Sequence, residues 1–405
     1  MRGWLRAVIG SSLALGLLAC GGGGGGSDTP GDVAPLAFAP FAEAEVVFGQ
    51  PIFGFNDQNQ GFPSPGAGTL ACPGIPAVGP LFVPDEENHR VLGFAQTPIL
   101  NNLDASFVLG QPDAQFAIPG VGATAMRGPT AATIAAGRLL VSDTGNNRIL
   151  VYDGVPTRKG VPAAFALGQP DLVSGGPGTG DWGLNAPAGV AYGGGRLVVA
   201  DRGNHRVLVW NTMPTSDGQP ASLVLGQADF GTTRLNRGGP VGRDTMFDPY
   251  GLWTDGTRLV VADRGNHRVL VWHTFPTSDG QPADVVLGQR DGATRIPADG
   301  VFGLENPCGV DAQGDQLFVA DAGNHRVLIW NSWPTADQQG ADAVLGQADF
   351  DHDAPNDADQ DAQEDAESSA RTFKSKHFVL TVRVAGRTLF VGDTGNHRLL
   401  VFEGR

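Results

Sequence analysis

Gly195-Arg196-Leu197-Val198-Val199-Ala200-Asp201-Arg202-Gly203-Asn204-His205-Arg206-Val207-Leu208-Val209-Trp210 is the stretch that decides the fold. Two aliphatic runs, each long enough for a strand and too short for an ordinary helix, flank a phrase of turn-forming residues. Gly203 and Asn204 tolerate the positive φ that a tight hairpin demands, so the stretch reads as strand, turn, strand.

The phrase recurs. It begins at Asp85, Asp143, Asp201, Asp263, Asp321 and Asp393, at steps of 58, 58, 62, 58 and 72 residues. Its fifth letter is His89, Asn147, His205, His267, His325 and His397, and its sixth is Arg90, Arg148, Arg206, Arg268, Arg326 and Arg398. Nine residues after each Asp stands an aromatic: Phe94, Tyr152, Trp210, Trp272, Trp330 and Phe402. A second phrase ends in Gly-Gln at Gln50, Gln111, Gln169, Gln227, Gln289 and Gln347.

A period of this length, filled with short strands and with 60 glycines and 29 prolines to turn them, predicts four antiparallel strands per unit arranged radially. The expected fold is all-β, a six-bladed propeller of four-stranded blades. The chain opens the repeat with a Gly-Gln strand and ends on a third strand, so the segment at 45–50 is expected to complete the last blade and close the ring. An open ring would expose apolar blade faces at about 25 cal/mol per Å².

Upstream, Arg2 and Arg6 precede an apolar stretch from Ala7 to Ala19, the pattern of an export signal. Leu17-Leu18-Ala19-Cys20 resembles the lipobox of bacterial lipoproteins, which makes Cys20 the expected lipidation site. Residues 1–19 then read as signal peptide, 20–44 as a glycine-rich flexible tether, and 45–405 as propeller. A bacterial envelope location follows, with the membrane touched only through the N-terminal lipid. Gly21 lacks the Asp that goes with inner-membrane retention, so the outer membrane is favoured. A disulfide between Cys72 and Cys308 is permitted in such a compartment, and two buried thiols are the preferred reading. A net charge of -15 with no basic run argues against nucleic acid.

The Asp-x-Gly-Asn-His-Arg phrase, its preceding Gly-x-Leu-x-Val-Ala strand and the segments Asn185 to Val190 and Asp248 to Leu252 together resemble the NHL-repeat family over roughly residues 45 to 405. The resemblance implies a propeller used for protein, RNA or ligand binding, with some enzymatic relatives such as zinc-binding peptidyl-amidating lyases. It transfers fold more safely than function.

The repeated histidines invite a zinc reading. Equivalent hairpins of different blades place them on a circle, too far apart for three to share an ion, so hydrogen bonding between strands or blades is expected of them and of the Asp and Arg residues. The channel should be lined by the first strand of each blade: Leu70-Ala71-Cys72, Ala131 to Ile134, Ala188 to Ala191, Gly251 to Trp253, Cys308 to Val310 and Phe378 to Leu380. These are mostly small and apolar. Asn185, Asp248, Tyr250, Asn306, Lys376 and His377 stand near its mouth and would bind a ligand or cap strand ends, with capping the plainer reading.

One insertion, 351–370, is acidic. Asp357, Asp359, Asp361 and Asp365 fall at calcium-loop spacing, but Ala362 stands where the glycine belongs and Ser368 where the terminal Glu belongs, which favours a solvated loop. The leading functional expectation is a non-enzymatic propeller with no cofactor that binds a protein, peptide or envelope polymer through its hairpin-rich face. A metal-dependent lyase or lactonase with its metal near Asn185, Asp248, Asn306 and His377 is the alternative, and a self-associating structural surface protein is the third reading.

Overall fold

The computed structural model describes residues 35–96 and 100–405. The export signal, Cys20 and the glycine run lie outside the described residues. Six sheets are arranged as blades, and five of them have four strands in the order inner, second, third, outer. The third blade shows the plan: Val190–Gly193, Arg196–Asp201, Arg206–Trp210 and Leu223–Leu225, antiparallel throughout.

The ring closes in the last blade. Val46–Phe48 pairs with Arg398–Glu403 in the register Val46 to Val401, Val47 to Leu400 and Phe48 to Leu399. The docked chain starts before residue 45, ahead of the boundary expected for the tether. Leu36 is buried, its amide donates to Gln316 Oε1 at 2.6 Å, and its carbonyl accepts from Gln316 Nε2 at 3.0 Å.

Two inner strands differ from the sequence expectation. In the first blade residues 72–77 form only isolated bridges, Pro73 to Asp85 and Ala77 to Phe82 within the blade and Ile75 to Ala131 of the next, because two prolines withhold ladder donors and Cys72 takes a φ of 63°. In the sixth, His377 and Phe378 occupy left-handed positions, so the strand begins later, at Thr381–Ala385, rather than at Phe378. Small residues elsewhere on the inner strands reflect crowding at the axis. A Cβ on Gly251 would lie 2.3 Å from the Cys308 carbonyl oxygen of the next blade.

The core lies between blades. Val198, Val207 and Val209 of the third blade pack against Leu252, Leu259, Val261 and Trp272 of the fourth. Trp210, Trp272 and Trp330 are no more than 1% exposed and still satisfy their indole N–H on the carbonyls of Gln219, Gln281 and Gln339.

Candidate functional site

The repeat residues build a frame. Asp201 Oδ1 accepts the Asn185 amide at 2.7 Å, and its Oδ2 accepts Asn204 Nδ2 at 2.8 Å and Arg206 Nε at 2.6 Å. The same carboxylate–guanidinium pair, at 2.6–2.8 Å and 0% side-chain exposure, recurs as Asp85–Arg90, Asp143–Arg148, Asp263–Arg268, Asp321–Arg326 and Asp393–Arg398. Burial pushes all six carboxyls up against the pull of the guanidiniums, Asp321 to about 6. Each Gly-Gln glutamine reaches back to the hairpin, as when Gln289 Nε2 donates to the His267 carbonyl at 2.8 Å.

The histidines connect blades. His89 Nδ1 accepts the Gly128 amide at 3.1 Å, His205 the Asp248 amide at 3.3 Å, His267 the Asn306 amide at 3.1 Å and His325 the Ser375 amide at 3.1 Å, each from the following blade. In the second copy Asn147 Oδ1 takes the Ala186 amide at 2.8 Å, so the amide side chain replaces the imidazole atom for atom. Burial pulls these four histidines down, His325 to about 4, which favours the neutral ring that accepts; the sixth copy's His397 is likewise pulled down to about 4, but its Nδ1 meets no donor among the described residues. The positive φ of each hairpin falls on the fifth letter, 53–54°, and not on the Gly or Asn as the sequence suggested. Gly203 is needed for closeness instead, since a Cβ there would sit 2.8 Å from the Asn185 carbonyl oxygen.

What the frame leaves over converges on the axis at the hairpin end. The second letter of each phrase is Glu86, Thr144, Arg202, Arg264, Ala322 and Thr394; Thr144, Ala322 and Thr394 are buried, and the other three are partly exposed. Thr144 Oγ1 donates to the Pro187 carbonyl at 2.6 Å. Arg202 Nε and Arg264 Nη1 approach the two oxygens of Asp248 at 3.4 and 3.3 Å, and both guanidiniums stand within 5.8 Å of the Tyr250 ring centroid. Arg264 Nη2 donates to the His377 carbonyl at 2.9 Å, across to the sixth blade, and Lys376 Nζ meets Glu87 Oε1 of the first blade at 2.6 Å.

Beneath this layer Cys72 and Cys308 are buried and unbonded to each other. The Cys72 Sγ–H donates to Glu86 Oε2 at 3.5 Å, and the Cys308 Sγ–H donates to the Phe378 carbonyl at 3.0 Å. Burial pushes both thiols up, Cys308 to about 11, so neither is a ready nucleophile. Burial likewise raises the Glu86 carboxyl and the Tyr250 phenol.

Of the residues singled out at the mouth, Asp248, Tyr250, Lys376 and His377 join this cluster. Asp248, Asn306 and His377 have φ of 56°, 48° and 53°, so they also shape the entry into their inner strands. Asn185 packs beneath the Gly203 turn. Sequence reasoning missed Glu86, Glu87, Arg202 and Arg264; the signal for Glu86, Arg202 and Arg264 was the variable second letter of the phrase, and for Glu87 the replacement of the Gly that the other five copies carry as third letter.

The acidic insertion is stitched to the ring rather than swinging free. Asp357 and Ser368 are buried, Ser368 Oγ donates to the Phe53 carbonyl at 2.7 Å, and Asn356 Nδ2 donates to Asn396 Oδ1 at 3.0 Å. Ligand oxygens of Asp357, Asp359 and Asp361 lie within 4.8 Å of one another. Asp357 nevertheless spends its two oxygens on the Asp361 and Ala362 amides, both at 3.0 Å, and Asp365 accepts the Ala358 amide at 2.8 Å. Repulsion from Asp361 raises the Asp359 carboxyl.

With frame and mouth described, the class is a six-bladed propeller, and the NHL repeat matches it over residues 184–210, the third copy. Among curated proteins no sequence relative matches. Solved structures similar in fold include virginiamycin B lyase from Staphylococcus aureus, at 12% identity and a TM-score of 0.41 over 86% of this chain and 97% of that one. A streptogramin B lyase matches at 10% identity and 0.39, over 87% and 97%. The computationally designed Ika8 protein matches at 10% and 0.37, over 89% and 100%.

Proposed function

We propose that this chain is a binding propeller, held at a bacterial envelope by a lipidated Cys20, that receives a protein, peptide or envelope polymer on its hairpin face. The observation that carries the reading is a contrast inside the repeat. Asp and Arg recur in all six copies and are consumed in the frame, whereas the letter after each Asp varies: Thr144, Ala322 and Thr394 are buried, and Glu86, Arg202 and Arg264 are partly exposed at the mouth. A position released from the frame can carry binding specificity without disturbing the fold.

The ion pairs at the mouth are partly exposed, with 15–31% of the Arg202, Arg264 and Asp248 side chains open to solvent. Pairs of that kind contribute about 0–1 kcal/mol each, so a partner bearing carboxylates and cations can exchange with them readily. Catalysis has less support, because Asp248 is held between two guanidiniums and both thiols are raised.

The test is capture from envelope extracts by residues 36–405, beside the double variant Arg202→Glu/Arg264→Glu. A partner retained by the unaltered protein and lost by the variant, at equal thermal stability, supports the reading. Equal capture by both moves binding off this face, and turnover dependent on a stoichiometric divalent metal moves the reading to a lyase or lactonase.

A further inference from the structure

We propose a second site, at the opposite end of the axis, that binds a single neutral sugar ring. The inner strands of the blades end there in one register position, the residue paired with the second strand just beyond its middle: Thr133 to Leu140, Ala191 to Val198, Trp253 to Val260, Asp311 to Phe318 and Arg383 to Phe390. These residues, with Tyr192, Thr254 and Ala385, line a cavity of about 300 Å³. That volume is at the lower end for small-molecule sites and suits one ring.

Its chemistry is mixed and balanced. Asp311, 3% exposed, accepts the Val384 amide on Oδ2 at 2.6 Å, and its Oδ1 faces Arg383 Nη1 at 3.6 Å, beyond hydrogen-bond length. Arg383 Nε donates to the Pro76 carbonyl at 3.0 Å, and neither Nη finds an acceptor within 3.5 Å among the described residues. One guanidinium and one carboxylate side by side give a free anion or cation one attraction and one repulsion. Adjacent hydroxyls on a neutral molecule satisfy both, donating to Asp311 and accepting from Arg383.

The walls supply the other half of the fit. Trp253 lines the cavity and is braced by the Trp333 ring at 5.5 Å and the Arg258 guanidinium at 5.3 Å, with Tyr192 beside it. An aromatic held in one orientation offers a flat surface to the C–H face of a pyranose at little cost in ordering.

Calorimetry with glucose, galactose, mannose and N-acetylglucosamine, and with acetate and glycine as charged probes, tests the assignment. At least one sugar is expected to bind the unaltered chain, with about tenfold or greater loss in Arg383→Met, which removes charge-assisted bonds. Ala385→Phe, which fills the space and spares the pair, should lose binding too, while both variants keep the cooperative thermal transition and Arg202→Glu/Arg264→Glu binds as before. The assignment is overturned if acetate or glycine binds in place of the sugars, if no probe gives heat at tens of millimolar, or if both cavity variants bind unchanged.

Discussion

Between the third and fourth blades His205 Nδ1 accepts the Asp248 amide at 3.3 Å, while between the sixth and first the equivalent His397 Nδ1 is buried and meets no donor among the described residues. The first junction is covalent and needs a side chain only to fix the angle of the next blade. The second joins the chain's two ends and is made by other means: the three-residue ladder of Val46–Phe48, Gln50 Nε2 on the Asn396 carbonyl at 3.2 Å, and the Arg405 amide on the Ala37 carbonyl at 3.0 Å. Successive blades are latched by a side chain, and the ring is sealed by a strand.

Deleting residues 36–50 breaks the comparison at its strongest point. It strips the outer strand from the last blade at a loss on the order of 10 kcal/mol of burial, as much as a whole domain's stability. Soluble yield and circular dichroism should show no cooperative transition. Arg268→Met attacks the frame inside a blade instead and leaves the Asp263 carboxylate buried without its counter-ion. Denaturant unfolding should register a loss of about 3–5 kcal/mol.

The latches themselves should rank by what they hold. His205→Ala leaves the Asp248 amide without an acceptor and should cost about 1–3 kcal/mol, whereas His397→Ala, with nothing on its Nδ1, should cost clearly less by the same denaturant measurement. His205→Asn should stay near the unaltered value, since Asn147 already performs that role in the second blade.

The smallest effect is one of pH. His325 titrates near 4 when folded against 6.5 in the unfolded chain, so the unfolded state takes up more protons between those values. The histidine's contribution is therefore present above pH 6.5 and lost as pH falls toward 4. Asp321, raised to about 6, acts with the opposite sign, but it is present in both proteins of the test. His325→Asn should fall less in melting temperature than the unaltered chain between pH 7 and pH 4; equal slopes would deny the histidine its part.

The frame was legible in the sequence because it repeats: six Asp–Arg phrases and six Gly-Gln ends force one local structure six times, and the missing outer strand announces the closure. The resemblance to NHL repeats named the same blade. The site was less legible for the opposite reason. Arg202 and Arg264 look like filler between invariant letters, and only the register of the hairpin turns them toward the axis. Asp311 and Arg383 are distant in sequence and meet because two inner strands end at the same height. The prolines of the first inner strand and the docking of Leu36 depend on neighbours that no local pattern describes.

Leu36 enters beside Gln316, and Ala37 exchanges backbone hydrogen bonds with Arg405, at the end of the ring where the first and second strands of each blade turn. The repeat hairpins occupy the other end. Residue 36 therefore meets the ring at the end that carries the Asp311–Arg383 cavity, and the Arg202–Asp248–Arg264 mouth lies at the far end of the axis from it.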